Sequence, residues 1–210
     1  MRGIGRFFGF LFATGAILFV LGAAAAGMLI WGYEKDLPDY TQLRNYEPPV
    51  MTRVHAGDGS ILAEYSRERR LFLPIQAIPP LVKNAFIAAE DKNFYSHSGI
   101  DPEGIVRAAV ILIQGNRSVQ GASTITQQVA KNFLLTNERT FERKIREMLL
   151  SFRIEAAYSK DKILELYLNQ IYLGLGNYGV AAAALNYYGK AVNELTLSEA
   201  AYLAALPKAP

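Results

Sequence analysis

Residues 80–99 read PLVKNAFIAAEDKNFYSHSG. Leu81, Val82, Ala85, Phe86 and Ala89 recur at helical spacing and form one apolar face. Pro80 suits the first helical position, where a missing N–H is no loss. The spacing predicts a helix over 80–90 that ends in two adjacent carboxylates, Glu90 and Asp91. Downstream, Asp101 can cap a helix with Pro102 in its first turn and Gly115 past its end, and Ser123 can cap one that runs to Phe133. Thr140 stands near the start of a long charged helix reaching Tyr158, and Ser159 caps another over Lys160 to Tyr172. A glycine-rich loop (Gly174, Gly176, Gly179) precedes a helix of small residues closed by Gly189. Thr196 and Glu199 form a capping box for the last helix, which Pro207 stops. Upstream, TRVHA (52–56) and ILAEY (61–65) are strand candidates around the turn Gly57-Asp58-Gly59. LFLPI (71–75) is a third, confined to an edge by Pro74. The fold class that follows is mainly α with a small strand element.

From Phe7 to Tyr33 no residue is charged, a run longer than the roughly 20 residues a spanning helix needs. Arg2 and Arg6 precede it, and Glu34, Lys35 and Asp36 follow. The positive-inside rule then keeps residues 1–6 in the cytoplasm, makes 7–33 a single transmembrane helix and puts the rest on the extracytoplasmic (periplasmic) side of the inner membrane. Trp31 and Tyr33 suit the outer interface. A cleaved signal peptide competes, because Ala23 to Gly27 offers small residues. The apolar run continues through Met28-Leu29-Ile30-Trp31 and exceeds a normal h-region. Residues 34–51 read as a polar, proline-bearing linker, and 52–210 as the folded domain. There is no cysteine, which excludes disulfides and thiolate chemistry, and the two histidines, His55 and His97, lie too far apart for a histidine-rich metal site. A net charge of +3 without a concentrated basic face gives no nucleic-acid footprint.

Four segments can carry chemistry. Glu90 and Asp91 close an apolar helix, with His97 and Gly99 just beyond; a carboxylate partly shielded from water is a better base, although two solvated helix-end charges would read the same way. In QGASTITQQVAKN (120–132), Thr124, Gln128 and Lys131 share one helix face, with Gln127 and Asn132 beside it. The free N–H groups at that helix start favour an anion. In FERKIREMLLSFRIE (141–155), Arg143 and Lys144 lie four and three residues before Glu147. This builds a cationic patch suited to a diphosphate. The plain alternative is a set of solvated ion pairs, each worth about 0–1 kcal/mol. In KDKILELYLNQIYLG (160–174), Ile163, Leu164, Tyr167, Leu168 and Ile171 form a core face, and Asn169 is a polar contact on the other side, four residues from Glu165. Val119, Ile125, Phe133, Leu134 and Leu135 are more apolar than a connecting region requires, and are expected to dip into a membrane interface.

EDKNFYSHSG (90–99), GASTITQQVAKN (121–132), RKIREMLLSFRIE (143–155), KILELYLN (162–169) and YGVAAAALNYYGK (178–190) occur in this order. They resemble the five motifs of the peptidoglycan glycosyltransferases, glycosyltransferase family 51. Ala122, Ser151, Ile154 and Tyr188 depart from the usual residues without removing a polar group. The hairpin at Asp58-Gly59 resembles the bifunctional class A penicillin-binding proteins, which implies a transpeptidase domain after residue 210. The resemblance implies a lysozyme-like, two-lobed domain with a groove between a larger helical lobe and a membrane-proximal jaw. It implies Glu90 as general base and Glu147 as a second essential glutamate near the donor diphosphate. Asp91, His97, Thr124, Gln128, Lys131, Asn132, Arg143, Lys144 and Asn169 match positions lining the groove. The implied partners are lipid II, the growing lipid-linked glycan, membrane lipid and other cell-wall synthesis proteins. The implied product is a β-1,4 bond formed with inversion, with undecaprenyl diphosphate leaving. No cofactor is required; a divalent cation (magnesium or manganese) near Glu147 is compatible with the diphosphate, though the motifs do not demand one. A glycan-cleaving muramidase on the same fold and a non-catalytic wall scaffold are the alternatives.

Overall fold

The structure is a computed structural model that describes residues 2–44, 46, 52–58, 61–65, 69–114, 123–136, 138 and 140–208. The order is α1 (Arg2–Lys35), β1 (Thr52–His55), β2 (Ile61–Tyr65), β3 (Arg69–Arg70), α2 (Pro80–Glu90), α3 (Pro102–Ile113), α4 (Ile125–Leu134), α5 (Phe141–Ala157), α6 (Lys160–Gln170), β4 (Asn177–Tyr178), α7 (Val180–Tyr188) and α8 (Leu197–Ala205). The fold is mainly helical, as the sequence predicts.

The centre is α6, in which every residue from Ile163 to Asn169 is buried. Helices α4, α5 and α7 pack around it, and α2 packs along α8. Phe86, Phe94, Leu150, Ile154, Leu166, Leu168 and Leu203 are fully buried in the same cluster. Each such side chain contributes about 1.5–3 kcal/mol of burial. Caps fix the helix starts. The Thr140, Ser159 and Thr196 side chains accept from the N–H groups of Arg143, Lys162 and Glu199. Glu199 also accepts from Lys190 Nζ at 2.6 Å, and this bond, with the Thr196 N–H, holds its carboxyl down at about 2.

Three local expectations need correction. The third strand is Arg69–Arg70, not 71–75, and it pairs in parallel with Asn177–Tyr178, far along the chain. Residues 71–75 need no strand partner because α6 side chains take their backbone groups. Asn169 accepts from Leu73 N–H and donates to Leu73 C=O, both at 2.8 Å, and Glu165 accepts from Ile75 N–H at 2.9 Å. Helix α6 stops at Gln170, since the Ile171 carbonyl turns away to accept from Gly179 N–H at 2.8 Å. Gly179 has φ +85 and lies so close to Asn169 that a Cβ would meet its carbonyl oxygen at 2.7 Å. The cap of α4 is Thr124 rather than Ser123, and its box with Gln127 is complete in both directions. Gly115 and Val119 lie outside the described residues.

Helix α1 runs unbroken for 34 residues. Among the described residues no helix is long and apolar enough to cross a membrane; the side chains at 2–9, 11, 26, 29 and 30 of α1 lie outside that set. Its last turn meets α5, where Arg153 pairs with Glu34 at 2.7 Å. The apolar rim expected over residues 115–135 turns inward where the structure describes it. Ile125 is fully buried, and Phe133, Leu134 and Leu135 pack against the core, Phe133 edge-on to Tyr46 at 4.7 Å. Outside α1, an exposed apolar stripe lies on α3, where Ile105, Val106, Val110 and Ile113 face outward, Ile113 with 86% of its surface free.

Candidate active site

Glu90 is the last residue of α2, and the chain leaves the helix at Asp91. Asp91 does not face solvent. His97 Nε2 lies 2.9 and 3.0 Å from its two carboxylate oxygens, and Ile125 N–H donates to it at 3.0 Å. Gly99 N–H donates to His97 Nδ1 at 3.2 Å, which leaves the proton on Nε2 for Asp91. Both side chains are buried, so the pair ties the end of α2 to the start of α4. Thr124 Oγ1 donates to the Gly99 carbonyl at 2.6 Å and closes the same knot. Gly99 has φ +103, and a Cβ there would meet the Ser151 backbone of α5 at 3.0 Å. Only glycine combines that backbone with so close an approach.

This knot aims Glu90 at a polar cleft of about 160 Å³ lined by Glu90, Asp91, Lys92, Arg107, Ser123 and Lys208, among others. Gln128 Nε2 donates to Glu90 Oε2 at 2.8 Å, while Oε1 is buried without a partner among the described residues. One helix away, Glu147 is buried, its side chain 4% exposed, rather than solvated. Arg143 Nη1 donates to its Oε1, and Lys144 Nζ to its Oε2 at 2.9 Å. Lys144 Nζ also donates to Ser123 Oγ at 2.8 Å, which joins the cationic helix to the cleft lining. The Nε of Arg143 is buried and has no acceptor among the described residues.

The structure therefore brings together Glu90, Asp91, His97, Thr124 and Gln128 in one network, and Arg143, Lys144 and Glu147 in another, with Ser123 between them. Lys131 lies one turn beyond Gln128 on α4, its side chain without a hydrogen-bond or ionic partner among the described residues, and Asn132 is exposed. Asn169 instead pins residue 73 within the domain. Ser123, Arg107 and Lys208 were not legible as site residues, because only tertiary packing carries them there. Among the described residues no three His, Cys, Asp or Glu side chains cluster to hold a metal ion, and both Glu147 oxygens are engaged by cations. The donor set does not fit a protein-held metal at Glu147.

Two carboxylates in unlike settings lie beside a cationic helix, an arrangement suited to acid–base chemistry on a substrate with an anionic leaving group. The family model described as Transglycosylase matches residues 58–210. Penicillin-binding protein 1A of Rickettsia bellii is 56% identical over 198 residues, covering 93% of this chain and 25% of that protein. The Aquifex aeolicus and Escherichia coli proteins of the same name are 52% and 49% identical, covering 92% and 91% of this chain and 27% and 22% of theirs. A solved structure of penicillin-binding protein 1A from Haemophilus influenzae is 27% identical and covers 79% of this chain and 15% of that one, with a TM-score of 0.38. The chain spans about a quarter of the length of these curated relatives. It belongs to the transglycosylase family.

Proposed function

We propose that this chain is a peptidoglycan glycosyltransferase that polymerises lipid II. The observation that carries the reading is the pairing of Glu90, turned to a polar cleft, with a buried Glu147 clamped by Arg143 and Lys144. Glu90 removes the proton from the acceptor sugar 4-hydroxyl as that oxygen attacks the donor's anomeric carbon. The carbon–oxygen bond to the diphosphate breaks, and undecaprenyl diphosphate departs with the negative charge. Arg143 and Lys144 meet that charge; Glu147 holds both cations in place and offsets their mutual repulsion. Attack opposite the leaving group inverts the centre and gives a β-1,4 bond. A lysozyme-like arrangement of two lobes around this cleft is part of the proposal. A muramidase would have no use for the cationic helix, because hydrolysis of a finished glycan releases no diphosphate. Offered lipid II and finished glycan together, the chain is expected to consume the first and leave the second at its original length. Shortened glycan with untouched lipid II would contradict the reading.

The enzyme is also proposed to be held in the inner membrane by residues 7–33 of α1, with the domain outside. The support is the uncharged run in the full sequence and a helix of 34 residues, about 50 Å at 1.5 Å per residue, against a hydrocarbon core of about 30 Å. The exposed stripe on α3 then lies at the membrane surface, where a lipid-linked substrate enters. Because the chain has no native cysteine, a single label is site-specific. In proteoliposomes, a spin label on Ile113→Cys is expected to be shielded from a water-soluble relaxation agent and open to oxygen. A label on Asn193→Cys, which is exposed, should show the reverse. Equal aqueous access at both positions would refute the contact.

A further inference from the structure

Two buried polar atoms, one on Glu90 at the cleft and one on Tyr167 behind α2, have no hydrogen-bond partner among the described residues. Tyr167 on α6 is 1% exposed, and its O–H has no partner among the described residues. Glu90 Oε1 is buried and has no partner among the described residues, although Oε2 accepts from Gln128. The Tyr167 ring packs edge-on against Phe86 with centroids 6.3 Å apart. Phe86 lies one helical turn before Glu90 on the same side of α2. Helix α6 runs along α4, which supplies Gln128. A donor and an acceptor thus stand unsatisfied in one corner between α2, α4 and α6. Burial, reinforced by the negative charges of Glu90 and Asp91, pushes the phenol well above its ordinary value, so Tyr167 keeps its proton. A buried hydroxyl without a bond is destabilising, because it gives up its bonds to water and gains none. Phenylalanine would fill the same space without that cost, so packing gives no reason for the oxygen.

We propose that Tyr167 is a positioning residue for Glu90: in the substrate-bound enzyme its O–H donates to Oε1 and fixes the carboxylate, so that Oε2 faces the acceptor hydroxyl. The proposal rests on Glu90 being the base. Gripped at Oε2 by Gln128 and at Oε1 by Tyr167, the carboxylate loses the rotation that would turn its free lone pair from the cleft. Small misplacements of this kind cost about 10²-fold in rate.

The test compares Tyr167→Phe, Phe86→Leu and Glu90→Gln in the full chain, with lipid II polymerisation and thermal unfolding as readouts. Tyr167→Phe is expected to unfold at the same or a higher temperature, to keep KM within about twofold, and to lose about 10–100-fold in kcat. Phe86→Leu loosens the same packing without touching the hydroxyl, and is expected to lose stability yet keep kcat within about threefold. Tyr167→Phe with wild-type kcat, while Glu90→Gln is inactive, would overturn the role of Tyr167 alone. Phe86→Leu losing as much kcat as Tyr167→Phe would also overturn it, by assigning the effect to packing. An active Glu90→Gln would remove the base itself, and this proposal with it.

Discussion

Glu90→Gln is expected to fold, to bind a lipid II analogue as the parent does, and to polymerise almost nothing. The acceptor is an alcohol, a poor nucleophile unless its proton leaves as the new bond forms. A positioned base supplies about 10²–10⁴-fold, which corresponds to roughly 3–5 kcal/mol of barrier. The substitution keeps the shape of the side chain, and an amide oxygen at position 90 can still accept from Gln128 Nε2. The Asp91–His97–Ile125 knot that sets the backbone is untouched. The loss should therefore appear in kcat at saturating substrate and should not be recovered by more lipid II. Melting temperature, analogue affinity and turnover, measured on one preparation, separate this outcome from misfolding.

The second large effect is expected at Arg143, and burial changes what its variants report. Read as solvated, the Arg143–Glu147 pair would be worth almost nothing to stability, and alanine would be a clean probe of catalysis. In the structure the two side chains are 18% and 4% exposed. Removing Arg143 strips the partner from Glu147 Oε1 while Lys144 still holds Oε2, so the cost is real but smaller than the about 3–5 kcal/mol of a buried charge left with no partner. Arg143→Ala should thus lose both stability and turnover. Arg143→Lys is the sharper variant. It keeps the charge that Glu147 needs but removes the planar guanidinium, the group able to bind a diphosphate bidentately. Losing one preorganised donor to a developing charge costs about 10²–10³-fold in kcat, so the lysine variant should fall by that amount with little change in unfolding temperature. A lysine variant with lowered stability and parental specific activity would mark the pair as structural only.

Much of this arrangement is legible in the sequence, and the rest is hidden for identifiable reasons. Helices α2, α5, α7 and α8 follow from apolar spacing and from caps such as Thr140 and Thr196, since both signals lie within a few residues of the element they define. The pairing of Arg69–Arg70 with Asn177–Tyr178 cannot be read that way, because neither dipeptide has a strand pattern and the partners lie far apart along the chain. The cap of α4 shifts by one residue because Ser123 and Thr124 are chemically alike; what separates them is that Lys144, from another helix, takes the serine hydroxyl. The apolar residues at 133–135 and those on α3 carry the same hydropathy signal, and only packing decides which face the core. The candidate site splits in the same manner. The spacing of Arg143, Lys144 and Glu147 on one helix face is local and visible, whereas the burial that gives the triad its strength is tertiary.

The most direct measurement of the central claim is a mass balance on labelled lipid II turned over by the detergent-solubilised chain. One undecaprenyl diphosphate should be released for each disaccharide that enters polymer, the polymer should grow to many repeats, and a β-1,4-specific muramidase should degrade it completely. Diphosphate lipid that stays attached to every disaccharide, or sugar released singly without polymer, would contradict the account.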